Sequence, residues 1–257
     1  KVLIMNIGPT RFSYLPEVVK NLLIINSLFF LGKIVLGSSL GLDLDKLFGL
    51  HNWQSPDFRP HQLVTHLFMH GGIAHIFFNM FALWMFGYSL ENVWGPKRFL
   101  IYYMVTGLGA ALLHLGVNYW EMTSIQNELI QQGASMQDLI SLRSSGEISS
   151  SFNTVNQQLL EQYYYKFNTP TVGASGAVFG VLLAFGMMFP NQYIYVYFAL
   201  PIKAKYFVAI YGALELYNGI ANDPDSNIAH FAHLGGMLFG YLLITYWRRR
   251  NRGNNYY

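Results

Sequence analysis

The chain contains no cysteine. Disulfides, thiolate zinc sites and a cysteine nucleophile are therefore excluded together. Charge is the second thing in short supply. Only 11% of the 257 residues are Asp, Glu, Lys or Arg, against roughly a quarter in an ordinary soluble domain. The metalloprotease signature is missing too. His66 and His70 have the four-residue spacing of a zinc pair, but Leu67 stands where that signature needs Glu, and no carboxylate pair lies nearby. The residues thus require no metal and no organic cofactor. No internal repeat and no cleavable signal peptide stand out.

What is present is apolar. Hydrophobic residues make up 53% of the chain and the mean hydropathy is positive. A bilayer core takes about 20 helical residues. Six segments come near that length: Val18–Leu36, Ile73–Tyr88, Phe99–Val117, Val172–Phe189, Lys205–Ile220 and Ile228–Trp247. The second and fifth are short and polar for lipid-facing helices, which suits packing against protein. Tyr193–Leu200 is apolar as well, but Pro190 and Pro201 bracket it and it is too short to span. These features predict one all-α membrane domain over residues 1–257. Asn118–Thr171 is an extramembrane insertion between the third and fourth spans, and Arg248–Tyr257 is a tail. The insertion is rich in Gln, Ser and Asn. It reads as a solvated loop or as a docking or lid element, with an amphipathic helix over Gln126–Leu142, a shorter one over Leu159–Phe167 and a flexible link at Ser144–Ser151.

Basic residues orient the spans. Arg11 and Lys20, Lys97 and Arg98, Lys203 and Lys205, and the run Arg248, Arg249, Arg250 and Arg252 fall on one side of a six-span chain. That side is expected to be cytoplasmic, which puts the C-terminus in the cytoplasm and suits a bacterial inner membrane. The arginine run follows an apolar helix, so it reads as a stop signal rather than a nucleic-acid patch. The starts of spans two, four and six then share the outer face, and they carry His75, Ser175 and His233.

A serine hydroxyl becomes a nucleophile only with a base in reach and donors for the developing oxyanion. An isolated intramembrane serine more often bonds back to its own helix. Here Gly176, Gly180 and Ala184 form one small-residue stripe, and Ala232, Gly236 and Gly240 form another. Such stripes let two helices approach closely, and each begins beside a candidate residue, Ser175 or His233. His230 competes with His233 as base, but His233 has Gly at +3 and +7 and so faces the packed side. Asp223 and Asp225 read as turn residues, so no carboxylate is expected to orient the imidazole and the expectation is a Ser-His dyad. His75 and Asn79 share one helix face, either as donors to an oxyanion or as helix–helix glue. His70 lies just before them. Glu215, inside span five, needs a partner, either a histidine or the interface, and its role stays open. His114 reads as interfacial, His51 and His61 as loop residues, and Glu91 as part of a cytoplasmic turn.

Together these residues resemble the rhomboid family of intramembrane serine proteases over roughly Phe58–Tyr246. The pattern His66, His70, His75, Asn79 is similar to the family's second helix. The segments Glu91–Phe99 and Pro201–Lys205 resemble its turns. Gly173-Ala174-Ser175-Gly176 is similar to its GxSG motif, and Ala232-His233 through Gly236 and Gly240 to its sixth helix. The resemblance implies a six-transmembrane-helix bundle around a water-filled cavity. Ser175 would be the nucleophile and His233 the base, with His75, Asn79 and the Ser175 N–H holding the oxyanion. Gly173 would keep the loop close to the substrate. Gly37–His61, with Arg59, would form a membrane-embedded hairpin. Spans two and five would form a lateral gate, with Phe78 and Ala82 on its span-two side. The implied partners are transmembrane substrates and the lipid bilayer, without nucleic acid, and the oligomeric state stays open. A non-proteolytic client-binding relative is the alternative. Two features depart from the pattern: Phe179 stands where many relatives carry tyrosine, and the Asn118–Thr171 insertion is long.

Overall fold

The computed structural model describes residues 13–147, 149–196, 199–221 and 229–253. Arg11, Asp223 and Asp225 lie outside this range. The first helix, α1 (Glu17–Leu40), starts after Pro16 and is apolar for most of its length. The stretch to Gly72 holds the short helices α2 (Leu44–Phe48) and α3 (Gln62–Thr65), then a 3-10 turn over His66–Phe68. Two helices follow, α4 (Ile73–Trp94) and α5 (Pro96–Gln131), separated by Gly95. By length and hydropathy, α1, α4 and α5 can each cross a membrane.

The third expected span does not stop at Val117. With 36 residues, α5 is about 54 Å long, well beyond a hydrocarbon core of about 30 Å. Its outer end becomes the spine of the insertion. Helices α6 (Met136–Ser145) and α7 (Gln157–Asn168) fold against it. Met122, Ile125 and Leu129 of α5 meet Leu139, Phe152, Leu160, Tyr163 and Phe167 in a separate buried cluster. Lys166 and Glu121 pair at 2.8 Å across it. The solvated-loop reading is thus corrected, because these apolar residues bury one another. The expected Gln126–Leu142 helix is broken at Gly133, whose φ of +111° no helix accommodates.

The central helix is α8 (Ser175–Met188), which is short, and most of it is buried. After it, the apolar stretch expected at the interface folds into an antiparallel hairpin. Strand β1 (Tyr193–Val196) pairs with β2 (Leu200–Lys203), with Tyr193 opposite Lys203. Helices α9 (Ala204–Ala221) and α10 (His230–Gly253) complete the bundle. Packing is closest among α5, α8 and α10, and α9 packs on α10 and α8.

One end of the bundle gathers the basic residues. The Arg98 guanidinium lies 4.2 Å from the Trp247 ring, and Arg248 donates to the Met187 carbonyl. Glu91 sits at this end, but it is more than a turn marker. Its buried carboxylate accepts the N–H groups of Val18 and Val19 at 2.9 and 2.8 Å and so caps α1. Lys33, inside α1, is paired with Asp45 and donates to the His70 carbonyl, which satisfies a charge at an otherwise costly depth.

Candidate active site

Ser175 is the first residue of α8. The loop before it is pinned from three sides. Thr171 and Leu50 exchange both backbone hydrogen bonds, the Gly173 N–H donates to the His66 carbonyl at 3.0 Å, and the Thr171 hydroxyl lies 2.8 Å from His114 Nε2. His114 is therefore a half-buried anchor of this loop. His51 is a buried residue of the segment between α2 and α3, its Nε2 3.0 Å from the Lys46 carbonyl. Arg59 folds back onto the Pro56 and Phe58 carbonyls.

The two stripes meet, but only at their outer ends. A Cβ added to Gly236 would land on the Gly176 carbonyl, and Gly176 also abuts Ala232. Lower down the stripes serve α5 instead. Gly180 faces Thr106, Gly240 faces the Tyr102 ring, and the Tyr102 hydroxyl donates to the Gly180 carbonyl at 2.8 Å. The nearest neighbours of Gly240 are thus Tyr102 and Thr106 of α5, not the α8 residues that the stripe pattern predicts. The outer contact suffices to bring His233 Nε2 to 2.9 Å from Ser175 Oγ.

Phe179, one turn below Ser175, lies flat under His233. The expectation that no carboxylate orients His233 is overturned. Glu215 of α9 places Oε2 2.8 Å from His233 Nδ1 and 2.7 Å from His230 Nδ1. Helix rotation, rather than hydropathy, decides which residue of α9 meets α10, so only the buried charge itself hinted at this role. Glu215, His230 and His233 are also the one His and carboxylate cluster among the described residues that could hold a metal. Their spacings are those of hydrogen bonds, and a cation there would take the His233 nitrogen that faces away from Ser175.

On the other side of Ser175, His75 Nδ1 accepts from the Gly71 N–H at 3.3 Å. A neutral His75 then carries its proton on Nε2. That nitrogen faces Gly173: a Cβ added there would lie 2.8 Å from His75 Nε2 and 3.5 Å from Ser175 Oγ. Gly173 also has φ +133°, which L side chains rarely adopt. The His75 donor and the Ser175 hydroxyl therefore border one small space. Asn79 is buried below it, and its Nδ2 donates to the His75 carbonyl at 3.0 Å, which leaves one further N–H on that amide. His70 packs edge-on against His75 at 5.1 Å and does not reach Ser175. Burial, aided by His75, pushes its pKa down to about 4, and burial does the same to His66.

Ser175, His75, Asn79 and His233 open into one cavity of about 1640 Å³. It is also lined by Phe78 and Ala82 from α4, Phe207 and Tyr211 from α9, and Glu161 and Tyr165 of α7.

A Rhomboid domain model matches residues 57–137 and 110–250. RHOMBOID-like protein 12, mitochondrial, of Arabidopsis thaliana is 28% identical over 80% of this chain and 51% of its own length. Rhomboid protein 1, mitochondrial, of Saccharomyces cerevisiae is 26% identical over 72% and 41%. Rhomboid protease AarA of Providencia stuartii is 24% identical over 69% and 52%. The chain spans about half the length of these relatives. Two of the three names are mitochondrial, so the comparisons do not single out a bacterial inner membrane.

Proposed function

The chain belongs to the rhomboid family, and from that premise we propose that it is an intramembrane serine endopeptidase that cleaves transmembrane segments of membrane proteins. The observation that carries the reading is the 2.9 Å approach of His233 Nε2 to Ser175 Oγ beside a donor-lined space. A relative named as a protease supports it.

In this reading Ser175 Oγ attacks the scissile carbonyl carbon while His233 Nε2 takes the hydroxyl proton. The carbonyl oxygen becomes an oxyanion. His75 Nε2–H, the Ser175 N–H at the helix start and the free Asn79 N–H are its donors. His233 returns the proton to the leaving amine, and an acyl-serine remains. Water then attacks with His233 again as base, which releases the acid and restores Ser175. A carbonyl inside an intact helix is shielded, so the substrate must unwind locally, and helix-weakening residues near the cut favour this.

A serine-directed fluorophosphonate tests the assignment. Wild type in bilayers should be labelled and should cut a model transmembrane substrate, and Ser175→Ala should do neither. A folded wild type that does neither would favour a client-binding protein instead. The basic end of the bundle is read as cytoplasmic, in a bacterial inner membrane, and a C-terminal topology reporter checks that.

A further inference from the structure

Glu215 stands in an apolar helix, and the steps above use no carboxylate. Its side chain is 7% exposed, and those of His230 and His233 are 11% and 10% exposed. One oxygen, Oε2, serves both Nδ1 atoms. An ionised carboxylate can only accept, so each Nδ1 must carry the proton of its bond. For a neutral His233 this leaves the lone pair on Nε2, the nitrogen facing Ser175 Oγ. That is the tautomer a general base needs. Phe179 fixes the ring plane from below, and Glu215 fixes its edge.

We propose that Glu215 is a positioning residue that holds His233 in its basic tautomer. The proposal rests on the protease reading. Glu215 takes no proton in it. It accepts the Nδ1–H bond throughout and offsets the positive charge while His233 holds the serine proton. His230 shares the same oxygen and so tethers the carboxylate to α10.

The test uses the full chain in bilayers with a model transmembrane substrate, comparing Glu215→Ala, Glu215→Gln and Glu215→Asp with wild type and Ser175→Ala. Glu215→Ala should lower kcat by about 10²–10⁴-fold with KM changed less than threefold. Glu215→Asp should recover part of the loss, and added formate should partly rescue Glu215→Ala, which repair of mere packing would not do. Histidine ¹⁵N spectra of the wild type supply a check that needs no variant: His233 should carry its proton on Nδ1. A proton on Nε2, or Ala and Gln variants within threefold of wild-type kcat, overturns the proposal while the protease reading stands. Activity abolished by a chelator and restored by zinc also overturns it and makes the three side chains a metal site. A wild type no more active than Ser175→Ala removes the protease reading itself.

Discussion

The ring of Phe179 lies 4.1 Å from that of His233, with their planes 5° from parallel. The contact couples the helix that carries the serine to the helix that carries the base. It limits rotation of the imidazole about χ2 and leaves both ring nitrogens free for Ser175 and Glu215. A flat face is what does this, so volume alone should not replace it. Phe179→Leu should lower kcat by about 2–10-fold, from about 0.5–1.5 kcal/mol for a ring pair, with fluorophosphonate labelling slowed in parallel. A Leu variant with wild-type labelling kinetics would show that Glu215 alone suffices to hold the ring.

Gly173 and His75 touch across the space next to Ser175, and each has its own prediction. Removing one oxyanion donor costs about 10²–10³-fold in kcat, so His75→Ala should lose that much while KM moves little. Gly173→Ala places a methyl group against His75 Nε2 on a backbone with φ +133°. It should lose comparable activity by tilting the donor and straining the loop. Steady-state cleavage and thermal unfolding, measured together, separate the two: His75→Ala should unfold near wild type, and Gly173→Ala earlier.

Gly236 and Gly176 make the closest helix contact at the site, where backbone meets backbone. No side chain can move aside there. Gly236→Val should force α8 and α10 apart, cost at least the 1–3 kcal/mol of ordinary overpacking, and lengthen the Ser175–His233 bond. Thermal unfolding in detergent should fall by several degrees and cleavage should be lost. Gly240→Ala meets the Tyr102 ring instead. Because it lies a full turn further from Ser175, it should reduce stability more than it reduces kcat in the surviving folded fraction.

The sequence made the parts governed by local composition legible. Apolar length marks α1, α4 and α5, and small residues beside Ser175 and His233 mark the outer contact of α8 with α10. Other features depend on relations that composition does not encode. Hydropathy falls after Val117, but the backbone hydrogen bonds of α5 continue to Gln131, so the polar shift does not mark a helix end. Gly180 and Gly240 belong to the expected stripes, yet α5 fills the groove they make. Glu215 meets His233 only through the relative rotation of α9 and α10. Glu91 lies next to basic residues in sequence, but its carboxylate turns inward to a helix more than seventy residues earlier.

His66 gives the pH dependence of stability a definite sign. It is buried, and burial pushes its pKa from 6.5 down to about 4, while its Nδ1 stays 2.8 Å from the Gln62 carbonyl. The unfolded chain takes up the proton near pH 6.5 and the folded chain does not until about pH 4. The stability that goes with a neutral His66 is therefore fully present above pH 6.5. It is lost as pH falls toward 4, by up to about 3 kcal/mol. Since the His66 carbonyl also holds the Gly173 N–H, the loop before Ser175 should loosen first. Unfolding in mild detergent between pH 7.5 and 4.5 should show a falling midpoint, and hydrogen exchange should show earlier opening at residues 171–174. His66→Gln, which cannot be protonated, should make this slope shallower and leave the share of His70, whose pKa burial also lowers to about 4, and an unchanged slope would assign it to other groups.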